Sequence, residues 1–231
     1  MKKYCLFSMM LCLSVCLVFT SCDKDDNNGS GSSSISKIEV SINNNDIDDD
    51  IDEIRAEIDE DEIASCKYTN GKFTLELPET VAAKYLYYLR EDMPEGINLS
   101  DMDAKIADIY IEAYDDKDDN VGCFEYKKET SNSLAVTFYM YVDRDVRITG
   151  SFTETEDGVN YIFNANANLK KGWNFLYQIM SGNESNGTIE MTTTEPSGMK
   201  WVYDSYYSHK SAQVKSADFS KKFKSLQMFK K

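Results

Sequence analysis

Chemistry needs reactive side chains within reach of one another, and this chain supplies them unevenly: 40 Asp and Glu, one histidine and six cysteines in 231 residues. One imidazole, His209, cannot build a multi-histidine metal site and offers a single base for a Ser-His or Cys-His pair. It stands in a Ser/Lys-rich tail, where a solvated side chain is the simpler reading. No G-x-S-x-G, H-E-x-x-H or P-loop pattern occurs. Carboxylates are plentiful enough for acid-pair glycoside hydrolysis, but that chemistry depends on a separation in space that spacing along a chain does not define. The expectation is a protein without an assigned catalytic residue, metal or cofactor, acting other than as an enzyme.

Two acidic stretches invite a calcium reading. Residues 46–62 (DIDDDIDEIRAEIDEDE) hold eleven acids and Arg55, a local net charge of −10. Asp46, Asp48, Asp50 and Asp52 fall on one face of an extended chain, and hard oxygen ligands suit Ca²⁺. The stretch lacks the glycine-centred loop and the bidentate Glu of a calcium site, and Ile47, Ile51, Ile54 and Ile58 fit a helical face or strand packing. A solvated acidic face is expected there. Residues 115–120 (DDKDDN) put Asp116, Asp118 and Asn120 at EF-hand ligand positions, yet the glycine comes one place late at Gly122 and position twelve is Lys127. A polar hairpin turn is expected instead.

The net charge of −15 argues against polyanionic partners, nucleic acid above all. Aromatic residues make up 12% of the chain and gather toward its C-terminus. Such rings build stacking platforms for sugars, which makes Trp173, Trp201, Tyr206 and Tyr207 the candidate ligand-binding residues. Trp173, Phe175 and Tyr177 alternate, as do Met199, Trp201 and Tyr203, and alternation argues for the two tryptophans in a core. Tyr206 and Tyr207, beyond the last expected strand, escape that argument.

The elements that must position these residues are strands. From residue 35 onward the dominant period is two: Val159, Tyr161, Phe163, Ala165, Ala167 and Leu169 alternate with a row of asparagines, and 134–142, 107–113 and 38–42 alternate likewise. Weaker candidates are 51–58, 62–69, 72–77, 121–127, 145–154, 173–180, 187–194 and 198–203, with turn formers such as Asn70-Gly71, Lys171-Gly172 and Asn186-Gly187 between them. The spacing predicts an all-β, antiparallel β-sandwich of about 10–12 strands over 35–205, as one domain or as two modules split near 128–133. The tail 206–231 is basic, with a net +6 over 208–231; Phe219, Phe223, Leu226 and Phe229 give it the spacing of a short amphipathic helix, and a loosely packed terminus is the other reading.

Residues 1–21 begin with Lys2 and Lys3 and run through an apolar segment to small residues before Cys22, the pattern of a secretory signal peptide. Phe19-Thr20-Ser21-Cys22 resembles a bacterial lipobox, which implies a diacylglycerol on the Cys22 thiol, cleavage before Cys22 and acylation of the new amine, a palmitate-type anchor. Asp23-Lys24-Asp25-Asp26 resembles the export signal of Bacteroidota lipoproteins, which implies Lys24, Asp25 and Asp26 as the signal and the outer face of the outer membrane as the address. Residues 22–34 then form a lipidated, flexible Gly/Ser tether. Processing would leave a net charge of −17 and two cysteines for the fold, Cys66 and Cys123, as one disulfide or as two buried thiols.

Residues 62–80 (EIASCKYTNGKFTLELPET) read as a hairpin around Asn70-Gly71 and resemble a segment of the prealbumin-like, carboxypeptidase-regulatory type of β-sandwich on Bacteroidota surface proteins; an Ig-like sandwich is the alternative. The longer layout, with YIEAYDDKDDNVGCFEY and ANLKKGWNFLY, resembles surface lipoproteins of the same group that carry no known activity. The expected function is a cell-surface lipoprotein acting as a non-enzymatic binding module, with glycans as a ligand class. The alternative is a structural or accessory component of an outer-membrane assembly or adhesin.

Overall fold

The computed structural model describes residues 35–206, apart from 44–46, 48–49, 157–158 and 184–185. Cys22, Lys24, Asp25, Asp26, Tyr207, His209 and the basic tail with its expected helix lie outside the described residues.

The described chain is nearly all strand. Its first half runs β1 (Lys37–Ser41), β2 (Glu53–Ile58), β3 (Asp61–Lys67), β4 (Lys72–Glu76), β5 (Tyr87–Tyr88), β6 (Ile97–Leu99) and β7 (Lys105–Tyr114). The second half runs β8 (Asn120–Glu129), β9 (Ser133–Val142), β10 (Val146–Glu156), β11 (Val159–Leu169), β12 (Gly172–Gly182), β13 (Asn186–Thr192) and β14 (Lys200–Ser205). All twelve strands expected from alternation form. The two short ones, β5 and β6, lie with single 3-10 turns in the segment around Pro94, where no period-two pattern announces them.

One large sheet has the order β3-β2-β7-β8-β9-β12-β13-β11-β10-β6, with β14 added on β8 and β5 on β7. A separate pair, β1 with β4, packs across it as the second layer of a sandwich. Ile38, Val40, Phe73 and Leu75 alternate into the shared core, and each buried side chain of this size is worth about 1.5–3 kcal/mol. That burial stabilises a two-stranded sheet that would be marginal alone.

This pairing corrects the expected 62–80 hairpin. Asn70 (φ 49°) and Gly71 (φ 79°) do make the left-handed two-residue turn, but β4 then leaves β3 and pairs with β1, so the turn is a corner between layers. The apolar side chains of β4 find their partners across the sandwich rather than beside β3.

The central strands β9 and β12 are buried on both faces. Ala135, Tyr139, Tyr141, Trp173 and Tyr177 point into the core beneath β1 and β4. Leu134, Val136, Met140, Leu176 and Met180 point the other way, into a second apolar region where β10, β11 and β13 curl back over them. The sheet is antiparallel except for β11 with β13, which run parallel. β11 and β12 diverge from a tight turn, and β13 returns antiparallel to β12 into the gap. Asn174 holds the turn: its amide oxygen accepts from the Lys170 N–H at 2.8 Å, and its NH₂ donates to the carbonyls of Lys170 and Gly172 at 2.7 and 2.8 Å. On the far side, Gly150 lets β6 close in, since a Cβ there would lie 2.2 Å from the Gly96 carbonyl oxygen.

Candidate functional site

Of the aromatic residues singled out for stacking, the three that are described, Trp173, Trp201 and Tyr206, form no exposed platform. Trp173 is 2% exposed and donates its indole N–H to the Pro78 carbonyl at 2.8 Å. Trp201 is 9% exposed and packs among Phe73, Tyr126 and Tyr139. Both rings are core, as their alternation argues. Tyr206 is half-buried, its hydroxyl donating to Glu112 Oε2 at 2.7 Å.

That bond belongs to a polar cluster that 94 residues of sequence separation hide. Glu112 (β7) and Glu125 (β8) are 7% and 6% exposed. Glu112 also accepts from the Asn120 amide at 3.0 Å, and burial still pushes its carboxyl above the usual range. Lys127 lies 3.1 Å from Glu125 and 3.2 Å from Asp204. Burial alone would lower the Lys127 ammonium, but the two carboxyls outweigh it and its pKa rises. Glu125 is pushed well up by burial, against the pull of Lys127 and with help from a hydrogen bond to Asp204. As a carboxylate it would leave Oε1 buried with no donor; as a neutral acid it can give its proton toward Asp204. The cluster ties β14 to β8 and β7.

The acidic stretch 46–62 is part strand: Ile54, Ala56 and Ile58 enter the core. On the other face, Arg55 pairs with Glu53 at 2.7 Å, with Glu62 at 3.4 Å and with Asp118, and lies 4.0 Å from the Tyr114 ring centroid. Residues 115–120 form the expected polar turn, in which the Asp115 carboxylate accepts the backbone N–H groups of Lys117 and Asp119 at 2.9 Å. Among the described residues, no group of three or more His, Cys, Asp or Glu could hold a metal. Cys66 is a free thiol, so the disulfide with Cys123 does not form; burial raises its pKa to about 11.

A different surface stands out. β11 alternates without a break, so Asn160, Ile162, Asn164, Asn166 and Asn168 all face outward. Cross-strand neighbours extend them into rows. Asn98, Thr149, Asn166 and Thr192 form one row over β6, β10, β11 and β13. Ser151, Asn164 and Glu190 form the next, then Thr153, Ile162 and Thr188, then Thr155, Asn160 and Asn186. Of these thirteen side chains only Glu190 is charged, where the chain's 28% charged content would place about four. Arg147, opposite Asn168, stands at the rim.

Asparagine is a poor strand former, and β11 carries four on one face. Asn160 accepts from the Thr155 hydroxyl at 2.7 Å. The side-chain amides of Asn98, Asn164 and Asn166 have no partner among the described residues. Each therefore presents two donors and a carbonyl acceptor to whatever meets the face. Such a surface can hydrogen-bond through amides and hydroxyls, and its one carboxylate, Glu190, has no second acid in these rows. The asparagine alternation was visible in the chain, but the Thr and Ser neighbours emerge only from strand order. Comparison of the chain with protein families, with curated proteins and with solved structures finds no match.

Proposed function

We propose that this chain is a lipid-anchored protein of the outer membrane, exposed on the cell surface, that binds extracellular ligands without turning them over, glycans among them. The observation that carries the binding role is the amide and hydroxyl face of β6, β10, β11 and β13. Its side chains are exposed or half-buried and largely uncharged, and the Asn98, Asn164 and Asn166 amides have no partner among the described residues, while the buried carboxyls of Glu112 and Glu125 are engaged by Tyr206, Asn120 and Lys127 in fastening β14. Membrane lipid is the partner at the other end, through acylated Cys22. That address is supported by the lipobox-like and export-signal-like residues 19–26, and by the resemblance of the chain's longer layout to surface lipoproteins of Bacteroidota.

Two experiments test the parts separately. Cys22→Ala should release the protein from membranes, and neutralising Lys24, Asp25 and Asp26 together should leave it lipidated but shielded from external protease. Wild-type behaviour of either variant would overturn the address. For binding, a glycan array probed with the wild type and with Asn164→Ala/Asn166→Ala should give signals that the double variant loses. Signals shared equally by both would remove the face from the proposal.

A further inference from the structure

The charge pattern of the same face narrows its ligand, and this step rests on the binding role proposed above. We infer that the face takes an uncharged polysaccharide strand, held across β6, β10, β11 and β13, and that it rejects uronic-acid or sulfated polymers.

The row Asn98–Thr149–Asn166–Thr192 carries no charge and spans four strands at about 4.8 Å per strand. It offers amide and hydroxyl groups in succession, each able both to donate and to accept. A polymer with a neutral hydroxyl on every sugar matches that list group for group. An anionic polymer does not, because Glu190 sits in the adjoining row and the whole chain carries −15. Like charge there costs affinity, and no cation lies inside the rows to offset it; Arg147 is at the rim.

Each such bond replaces one to water, so its net gain is small, and ordering the partners opposes it. A short oligosaccharide is therefore held weakly. A long chain meeting many anchored copies is held by repetition, because the second contact draws on a high effective concentration. The rows hold none of the aromatic rings that tighten binding to a single sugar.

Native affinity electrophoresis reads this directly, since an acidic protein migrates and an immobile polymer in the gel retards it. The probes are mannan, xyloglucan and laminarin against polygalacturonate and chondroitin sulfate. The expected result is retardation by at least one neutral polymer, unchanged by added salt, and at least tenfold weaker in Asn164→Ala/Asn166→Ala. Lys72→Ala, at an exposed position of β4, should match the wild type. Equal thermal transitions in all three proteins show that the variants fold. Retardation by a polyanion that the double variant loses would overturn the neutral-polymer inference while leaving the face as a binding site. Retardation by a neutral polymer that the double variant retains, or none by any of the five polymers, would overturn the inference and remove support for the face as well.

Discussion

Replacing Glu125 with Gln should make the protein more stable at pH 8 and leave it unchanged at pH 4. Gln keeps the shape of the side chain and can still accept from Lys127 and donate toward Asp204, but it no longer titrates. In the wild type, burial holds the Glu125 acid well above its ordinary value of 4.5. An acid with a raised folded-state pKa contributes stability that is complete below its unfolded-state value and is lost as pH climbs through the folded-state value. Each unit of that rise is worth about 1.4 kcal/mol, and at 6% exposure solvent screening does little to shrink it. For a chain of this length about 1 kcal/mol moves Tm by about 2–4 °C. Urea unfolding of wild type and Glu125→Gln at pH 4, 6 and 8 should show curves that coincide at the lowest pH and part progressively above it. A variant less stable than the wild type at pH 8 would refute the reasoning, because it would mean that the ionised Glu125–Lys127 pair outweighs the cost of burying the charge. A difference that does not change with pH would refute it too.

Three further outcomes follow from single residues. Asp59 (φ 52°) and Glu60 (φ 74°) form the β2–β3 turn in the left-handed region. Glu60→Gly should raise stability by about 0.5–1 kcal/mol in urea titration, the relief of strain exceeding the flexibility that glycine adds to the unfolded chain. Trp173→Ala removes a 2% exposed indole and its bond to Pro78 and should cost about 3–5 kcal/mol in the same assay. Cys66, with its thiol at about 11, should be alkylated by iodoacetamide at pH 8 roughly a hundredfold more slowly than an unperturbed cysteine. Urea should abolish that protection, as read by mass spectrometry of the Cys66 peptide.

What the chain discloses and what it withholds divide along a physical line. Alternation reports which side of a strand is apolar, because that is a property of one segment. It therefore shows the outward asparagines of β11, the inward Trp173 and Trp201, and twelve of the fourteen strands. It carries no information on which strand lies alongside. The Asn70-Gly71 turn is real, yet β4 leaves β3 for β1, since backbone chemistry fixes the turn while packing of Phe73 and Leu75 picks the neighbour. Asn186-Gly187, a turn by composition, instead opens β13, where Gly187 stands opposite Gly182.

The two surfaces of interest are products of pairing and so were hidden in different degrees. The Glu112–Tyr206 and Glu125–Asp204 contacts join β7 and β8 to the last described strand, and no local pattern links residues so far apart. The amide face was half visible: β11 shows its asparagines, but Thr149 and Thr192 become their neighbours only because β13 enters the sheet parallel to β11. Had β12 stayed hydrogen-bonded to β11 in a simple hairpin, the place now held by Thr188, Glu190 and Thr192 would have fallen to β12 and its bulkier side chains Phe175, Tyr177 and Ile179. The inserted strand sets those groups one strand further from the asparagines, with Tyr177 opposite Thr192 and Ile179 opposite Glu190, and there Tyr177 is buried in the core. The topology thus puts Thr188, Glu190 and Thr192, rather than the larger side chains of β12, directly beside the asparagines of β11.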